Sequence, residues 1–554
     1  MHVEETLLFI LAAVAVIVVV RTIAEKTGLP AAALLTIVGI TYAVLPGPNV
    51  ELEPELIMTY VIPPLLYSAA LDASLLDIRR HMRTVVSLSV LLVLATALLI
   101  GFGISWWVGG ATLAAGIALG AAVAPPDPVA ALAVGRRAGL PPKLITLIQG
   151  EGLLNDATAL TILTVAIAAS TGDGFSFPAA TLEFFIKAAG GVVAGIVVAF
   201  VVRYLRRLRR DPLTANAISL AVPLAAYVLA ESVHTSGVLA VVIAGLIIGH
   251  DSSRHSEAAS RLQTSAVWRL VDFLLEGLVF LLIGQQLPTV VEGLSEYSVS
   301  TVVIAVGVTV GVTLLLRPLW LILTQLLPQS LHMRLGGEPV AMAESDAVDP
   351  VRVARIREKA LTGKEVTALS WAGTRGVISL AAIFTLPESV PNRDLLHFCA
   401  FVVVLVTLLG QGLTFAPLVQ WLGLRANKAD EARERNEARS ASVQAALDRL
   451  DEIQEEKHDH VEDVAIEHQR KQLEVRLERY RRRLDMLEKA ESDQVPVSPQ
   501  YEAALMVRRK VIEAQREELL RWRDMGSLND EGLRILEREL DFEERMLPDR
   551  ASKA

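Results

Sequence analysis

The chain has 554 residues, of which 52% are apolar, and its mean hydropathy is +0.45. This composition is too apolar for an ordinary soluble enzyme. The net charge of −9, without a dominant basic stripe, does not predict a nucleic-acid partner. The single cysteine, Cys399, excludes a disulfide framework and a thiolate metal site.

Charge is concentrated towards the C-terminal end of the sequence. The last 130 residues carry 26 of the 52 Lys and Arg and 32 of the 61 Asp and Glu. A charge-poor segment followed by a charge-rich one is typical of a membrane domain with a soluble tail. We therefore predict a transmembrane domain over 1–424 and a helical tail over 425–554 that regulates transport or assembly.

Thirteen apolar segments follow one another in the first domain. A membrane-spanning helix needs about 20 apolar residues, and the segments lie near that length. They are found at 6–24, 29–46, 55–72, 84–108, 111–135, 143–169, 181–203, 213–232, 236–250, 264–288, 299–328, 367–386 and 394–422. The predicted fold class is an all-α membrane protein with about 13 transmembrane helices.

Basic residues are unevenly divided between the loops that join these spans. One set of alternate loops contains the basic clusters 79–83, 136–137, 206–210, 254–261 and 352–364. Lys and Arg mark the cytoplasmic loops of membrane proteins. The pattern predicts a multi-pass protein of the plasma (inner) membrane with its N-terminus outside and its tail in the cytoplasm.

Two spans contain helix-breaking sequences with a charge at mid-membrane. Span five has Ala-Pro-Pro-Asp-Pro at 124–128, and span twelve has Ala-Gly-Thr-Arg-Gly at 372–376. Interrupted spans in corresponding positions indicate a transporter built from inverted repeats, with its site between them. We predict inverted six-helix repeats joined by one linker helix, with the two broken helices crossing. Thr374 and Arg375 are expected to line the crossing, with simple packing as the alternative.

Asp127 lies between two prolines in span five. Prolines remove amide donors and unwind the helix, so that carbonyl oxygens, including that of Pro126, can face a cavity. Hard oxygen ligands of this kind suit a small cation. An ionisable side chain in the membrane costs roughly 2.5–3.5 kcal/mol on insertion scales and therefore needs a reason. Asp127 is thus a candidate ligand, the alternative being an N-cap at the broken helix.

Span six carries three polar residues close together. Glu151 and Asn155 share one helix face, and Asp156 lies about 100° further round. Asp127 and Asp156 are expected to face each other across spans five and six, where two buried carboxylates bind either a proton or a cation. Arg317, deep in span eleven, needs an acidic partner. Glu151, with help from Asn155, is the candidate.

These motifs, in this order, resemble those of the monovalent cation–proton antiporters, most closely the bacterial NhaP-type and animal sodium–proton exchanger branch. The resemblance covers residues 7 to 422. It rests on Pro-Asp-Pro in span five, Gly-Glu-x-Leu-x-Asn-Asp in span six, Arg before the turn of span eleven and Gly-x-Arg-Gly in span twelve.

The resemblance implies roles for individual residues. Asp156 becomes the cation and proton ligand, Asp127 its companion in span five, and Glu151, Asn155 and Arg317 a supporting network. It also implies a homodimer and electroneutral one-for-one exchange, because Asn155 replaces the first aspartate of the electrogenic branch. A transporter of this kind needs no cofactor; Na+ and H+ are its cargo.

The sequence departs from the pattern of that family at three positions. The residue after the motif's Glu is often Ser, and here it is Gly152, which removes a hydroxyl ligand. The residue before the aspartate in span five is often Thr, and here it is Pro126, which can offer only its carbonyl. Ser68 in span three stands where some relatives place an acidic residue.

We predict a secondary active antiporter, not an enzyme, that exchanges Na+ for H+ by alternating access and serves pH homeostasis. K+ and Li+ remain open as cations. The alternatives are a proton-coupled transporter of another solute, a cation channel, and a membrane sensor that works through its tail. Paired carboxylates at the broken spans favour a cationic cargo, and a channel would show a repeated filter loop or rings of like charge. Glu231 and Glu276, in or near apolar spans, are expected to have structural roles facing the bundle, with a role in transport as the alternative. The expected partners are a second copy of the chain and membrane lipid, with the tail binding a regulatory partner or another tail.

Overall fold

The computed structural model describes residues 3–45, 54–171, 177–208, 211–255, 258–326, 361–425, 428–455, 460–488, 499–525, 527–545 and 547. The chain divides into two compact units, Met1–Ala426 and Asn427–Ala554. This division falls two residues from the boundary predicted from charge. Of the basic loops used to predict the orientation, Arg209, Arg210 and 352–360 lie outside the described residues.

The described part of the first unit is built from helices. In chain order these are α1 (Val3–Thr27), α2 (Ala31–Val44), α3 (Pro54–Leu56), α4 (Ile62–Asp72), α5 (Leu75–Arg80), α6 (Met82–Val86), α7 (Leu92–Trp107), α8 (Leu113–Val123), α9 (Pro128–Ala138), α10 (Pro142–Thr171), α11 (Phe177–Leu208), α12 (Pro212–Ser232), α13 (Gly237–His255), α14 (Ala258–Gln285), α15 (Leu287–Glu292), α16 (Val299–Leu326), α17 (Gly363–Trp371), α18 (Val377–Phe384), α19 (Arg393–Leu405) and α20 (Gly412–Leu422). Three short π-helical segments, Ile57–Val61, Ser87–Leu91 and Val406–Gln411, join α3 to α4, α6 to α7 and α19 to α20.

Helical structure coincides with each of the thirteen predicted segments. Among the described residues, six helices are long and apolar enough to cross a membrane: Met82–Trp107, Pro142–Ser170, Thr181–Arg207, Pro212–Ser232, Val299–Thr324 and Arg393–Leu422. Four shorter apolar helices are found at Ala31–Val44, Ile57–Asp72, Leu113–Val123 and Gly237–Ser252. The described part of the unit is therefore an all-helical, multi-pass membrane domain. Thirteen crossings, the inverted repeat and the orientation stay predictions.

The predicted breaks in spans five and twelve are present. Helix α8 ends at Val123, and α9 begins only after Asp127, whose carboxylate caps it by accepting a hydrogen bond from the Val129 amide. Pro128 at the first position of α9 has no amide proton to satisfy, so it suits a helix start. Helix α17 ends at Trp371 and α18 begins at Val377. Each break leaves an extended segment inside the bundle.

Small residues let the helices approach closely. A Cβ added to Gly39 of α2 would lie 3.0 Å from the Gly284 Cα of α14. Without water between the helices, close backbone contact of this kind is a main source of association in membranes. The contact fixes α14, which carries two of the acidic residues discussed below, against α2.

The second unit contains α21 (Lys428–Glu455), α22 (His460–Glu488), α23 (Pro499–Asp524) and α24 (Asp530–Arg545). Helices α21 and α22 bury Val443, Leu447 and Leu477 between them, with Leu473 and Tyr480 packed at the edge. Helices α23 and α24 are joined by ion pairs, including Arg516 with Asp541 at 2.6 Å. The tail is therefore helical, as predicted.

Candidate functional site

The two extended segments cross and hydrogen-bond to each other. The Asp127 amide donates to the Thr374 carbonyl at 2.6 Å, and the Thr374 hydroxyl donates to the Asp127 carbonyl at 3.1 Å. Main-chain groups freed by a helix break must find partners when no water is near. Here each broken helix provides partners for the other, which produces the crossing expected from the sequence.

Arg375 lies at the C-terminal end of the half-helix α8. Its guanidinium donates to the Val123 carbonyl at 3.1 Å, to the Ala124 carbonyl at 3.4 Å and to the Gly373 carbonyl, while its amide donates to the Thr407 hydroxyl at 3.0 Å. The last carbonyls of a helix have no partner within it and carry partial negative charge. Arg375 therefore both satisfies and neutralises the end of α8.

Asp127 lies at the N-terminal end of the half-helix α9. Its Oδ1 accepts the Val129 amide at 2.9 Å at the start of α9. Its Oδ2 lies beside Gly376, the residue before α18, where an added Cβ would overlap it. Partial positive charge from two half-helix N-termini thus converges on one carboxylate. The N-cap and the functional interpretation of Asp127 are both compatible with this geometry.

Helix α10 brings Asn155 and Asp156 to the same place. The Asn155 Nδ2 donates to the Pro126 carbonyl at 3.0 Å. The side chains of Asn155 and Asp156 are both buried. The Asn155 Oδ1 is buried without a hydrogen-bond partner among the described residues. Asp156 is 4% exposed and lies close enough to Asp127 for the two charges to act on each other. Two carboxylates and an unpartnered amide oxygen are hard ligands of the kind that alkali cations prefer.

Glu151 and Arg317 form a buried ion pair between α10 and α16. Both guanidinium nitrogens bond the carboxylate, Nη1 to Oε1 and Nη2 to Oε2, the latter at 2.9 Å. The Arg317 Nε donates to the Leu369 carbonyl at 3.0 Å, which ties the pair to α17. The two charges neutralise each other in a bidentate geometry. The pairing of Arg317 with Glu151 is present, and it leaves Glu151 no free carboxylate oxygen. The help expected from Asn155 is not seen, because the Asn155 amide donates to the Pro126 carbonyl and its Oδ1 has no hydrogen-bond partner among the described residues.

Gly152 has a steric role. A Cβ at this position would lie 2.5 Å from the Pro128 Cγ and 2.8 Å from its Cδ. A serine, which some antiporters have here, would collide with the proline that begins α9. The absence of a side chain therefore lets α10 approach the break beside Asp127.

Comparison with known proteins identifies the family. A family model described as "Sodium/hydrogen exchanger, transmembrane" matches residues 11–421. The chain belongs to this family. Among relatives of the exchanger is an uncharacterized Na+/H+ exchanger of Mycobacterium tuberculosis, 31% identical over 558 residues, which cover 98% of this chain and 97% of that protein. The low-affinity Na+/H+ antiporter NhaS1 of Synechocystis is 30% identical over 453 residues, covering 81% and 80%.

The fold of the exchanger is shared with a solved structure. The sodium proton antiporter MjNhaP1 from Methanocaldococcus jannaschii, determined at pH 8, superposes with a TM-score of 0.57. The match covers 76% of this chain and 99% of that chain at 19% identity, so it supports the fold alone.

Sequence reasoning missed a further acidic residue of the exchanger. Ser68 of α4 donates to the Asp272 carboxylate of α14 at 2.5 Å, and the other Asp272 oxygen is buried without a partner among the described residues. A carboxylate is thus present beside Ser68, supplied by another helix. The available signal was the spacing of Asp272 and Glu276, which places two acids on one face of an apolar helix.

Proposed function

We propose that this exchanger binds one monovalent cation at Asp156 and Asp127 and exchanges it for protons that bind the same carboxylates. The convergence of both aspartates with the unpartnered Asn155 oxygen carries the proposal, because it offers a cation several oxygen ligands in one buried place. The Pro126 carbonyl already accepts from Asn155 but has a second lone pair with which to contribute. Na+ is the proposed cation, with K+ or Li+ as the alternatives.

The charges around the site support a one-for-one, electroneutral exchange. Glu151 and Arg317 neutralise each other. At the site itself, the negative charges of Asp127 and Asp156 and the positive charge of Arg375 together leave a single negative charge. One cation or one proton neutralises the site, and a second would leave it positively charged in a low-dielectric medium. If the cation and the proton compete for the same two carboxylates, alternating access to the two sides of the membrane is sufficient for exchange.

We further propose that the exchanger is a homodimer in the plasma membrane, with thirteen spans, its N-terminus outside and its tail in the cytoplasm. The coincidence of helices with all thirteen predicted segments supports the span count. The basic loops support the orientation.

The experiment follows internal pH in proteoliposomes, with the membrane potential clamped, after Na+, K+ or Li+ is added in turn. Wild type is compared with Asp156→Asn and with Asp211→Asn. Asp211 is an exposed N-cap residue of α12, where Asn caps equally well. We expect cation-evoked proton movement in the wild type and the Asp211 variant and none in the Asp156 variant.

The same experiment separates the alternatives. Equal proton movement in the Asp156 variant would exclude this aspartate as the shared ligand. No movement with any cation would favour a proton-coupled transporter of another solute. Cation flux without proton movement would favour a channel.

A further inference from the structure

A cavity of about 140 Å³ lies beside the proposed cation site. Helices α1, α2, α9 and α14 form its walls, and the loop between α1 and α2 forms its rim. The rim includes Glu25, with a side chain 58% exposed, and Leu29, which is 38% exposed. The interior includes the half-buried Glu276 of α14. The cavity therefore leads from an exposed rim to an acidic residue inside the domain.

The far wall of the cavity adjoins the cation site directly. Val129, in the first turn of α9, lines the cavity, and its amide donates to the Asp127 carboxylate at 2.9 Å. Only the first turn of α9 separates the cavity from Asp127.

Glu276 has no counter-ion holding it in place. Within the described part of the chain it makes no hydrogen bond or ion pair, and the charges that act on it are those of Asp127, Asp272 and Arg21. Arg21 is occupied elsewhere, since it pairs with Glu25 at 3.7 Å and lies over the Phe273 ring at 4.9 Å. A carboxylate kept only for packing would be expected to have a partner, because an unpaired buried charge is costly.

We propose that Glu276 is the transient cation- and proton-accepting residue on the route between this cavity and the Asp127–Asp156 pair. The inference deepens the proposed function and rests on it. Low-dielectric walls lined with negative charge concentrate cations near them. A cation that enters the cavity meets Glu276 inside it, and Asp127 attracts it from the other side of the first turn of α9. A proton released by the aspartates can follow the same carboxylates outwards.

The role of Glu276 concerns access, so it predicts an effect at one face of the membrane. The cavity opens at the C-terminal end of α1, which the basic loops predict to be cytoplasmic. The cation dependence of exchange is measured in everted vesicles, where the added cation meets this face, and in right-side-out vesicles. The variants are Glu276→Gln, which keeps the side-chain volume, Glu276→Asp, which keeps the charge, and Glu25→Gln as a control on the same cavity.

We expect Glu276→Gln to raise the apparent KM for the cation about 10-fold in everted vesicles, as the loss of one attractive charge implies, with maximal rate and protein amount little changed. Right-side-out vesicles should show a KM close to that of the wild type. Glu276→Asp should restore most of the affinity, and Glu25→Gln should change it less than about twofold, because exposed charges are screened.

Three outcomes for Glu276→Gln would overturn the proposal. They are an unchanged KM in everted vesicles, an equal shift of KM in both vesicle types, and a loss of exchange rate that Glu276→Asp does not restore. These outcomes leave the antiport itself intact, because wild type would still exchange and Asp156→Asn would still not. Absence of exchange in the wild type would instead count against the proposed function.

Discussion

The buried ion pair of Glu151 and Arg317 gives the clearest stability prediction. Their side chains are 2% and 4% exposed, so water cannot replace a lost partner. Removing one member of a buried pair costs about 3–5 kcal/mol, because the other charge is left uncompensated. We expect Glu151→Gln and Arg317→Met each to lower the free energy of unfolding by that amount. The double variant removes both charges and should recover about 2 kcal/mol relative to the sum of the single losses.

The assay is the apparent melting temperature of the detergent-solubilised protein, measured for the wild type, both single variants and the double variant. At about 2 °C per kcal/mol for a large domain, each single variant should melt roughly 6–10 °C lower. Glu25→Gln is the control, because it removes an exposed pair with Arg21 that contributes less than about 1 kcal/mol. If the losses of the two single variants simply add in the double variant, the two charges are not coupled and the reasoning fails.

Two further predictions concern the approach of helices to the break at Asp127. Gly152→Ala should lower the melting temperature, because the added Cβ would lie 2.5 Å from the Pro128 Cγ and overpacking costs about 1–3 kcal/mol. Gly307→Ala is the control and should not lower it, because an added Cβ there has nothing within 4 Å. Equal melting temperatures of the two variants would contradict the steric role of Gly152. Thr374→Val removes the 3.1 Å hydrogen bond to the Asp127 carbonyl, which is worth about 1 kcal/mol. We therefore expect slower cation–proton exchange at an unchanged amount of membrane protein. An exchange rate equal to that of the wild type would show that this bond does not position the site.

The helical segments follow from the sequence because the membrane imposes simple requirements. Helix covers most of each apolar stretch of near-spanning length, and α8 ends just before the prolines around Asp127, where amide donors are missing. The pairing of Arg317 with Glu151 was also accessible, since a charge so deep in an apolar helix needs a partner and few were available.

Other features depend on packing between distant helices and could not be inferred from local sequence. The cavity is bounded by α1, α2, α9 and α14, whose side chains come together only in the fold. Arg375 bonds carbonyls of α8, about 250 positions away, and any helix end could have offered such acceptors. The expectation of a structural role for Glu276 followed from its apolar neighbours, because the sequence did not show that it lines a space.

The bonds at the crossing restrict how this molecule can move. They run in both directions between the segments at Asp127 and Thr374, and Arg375 adds donors to the end of α8. Pulling the segments apart would leave several donors unpaired away from water, at about 1–3 kcal/mol each. The half-helices on either side of the two breaks, α8, α9, α17 and α18, therefore move as one rigid body together with Asp127. Val129 and Ala133 of α9 face Ile17 and Phe280 across the cavity, and apolar surfaces slide without breaking hydrogen bonds. The easy direction of displacement is thus at this wall.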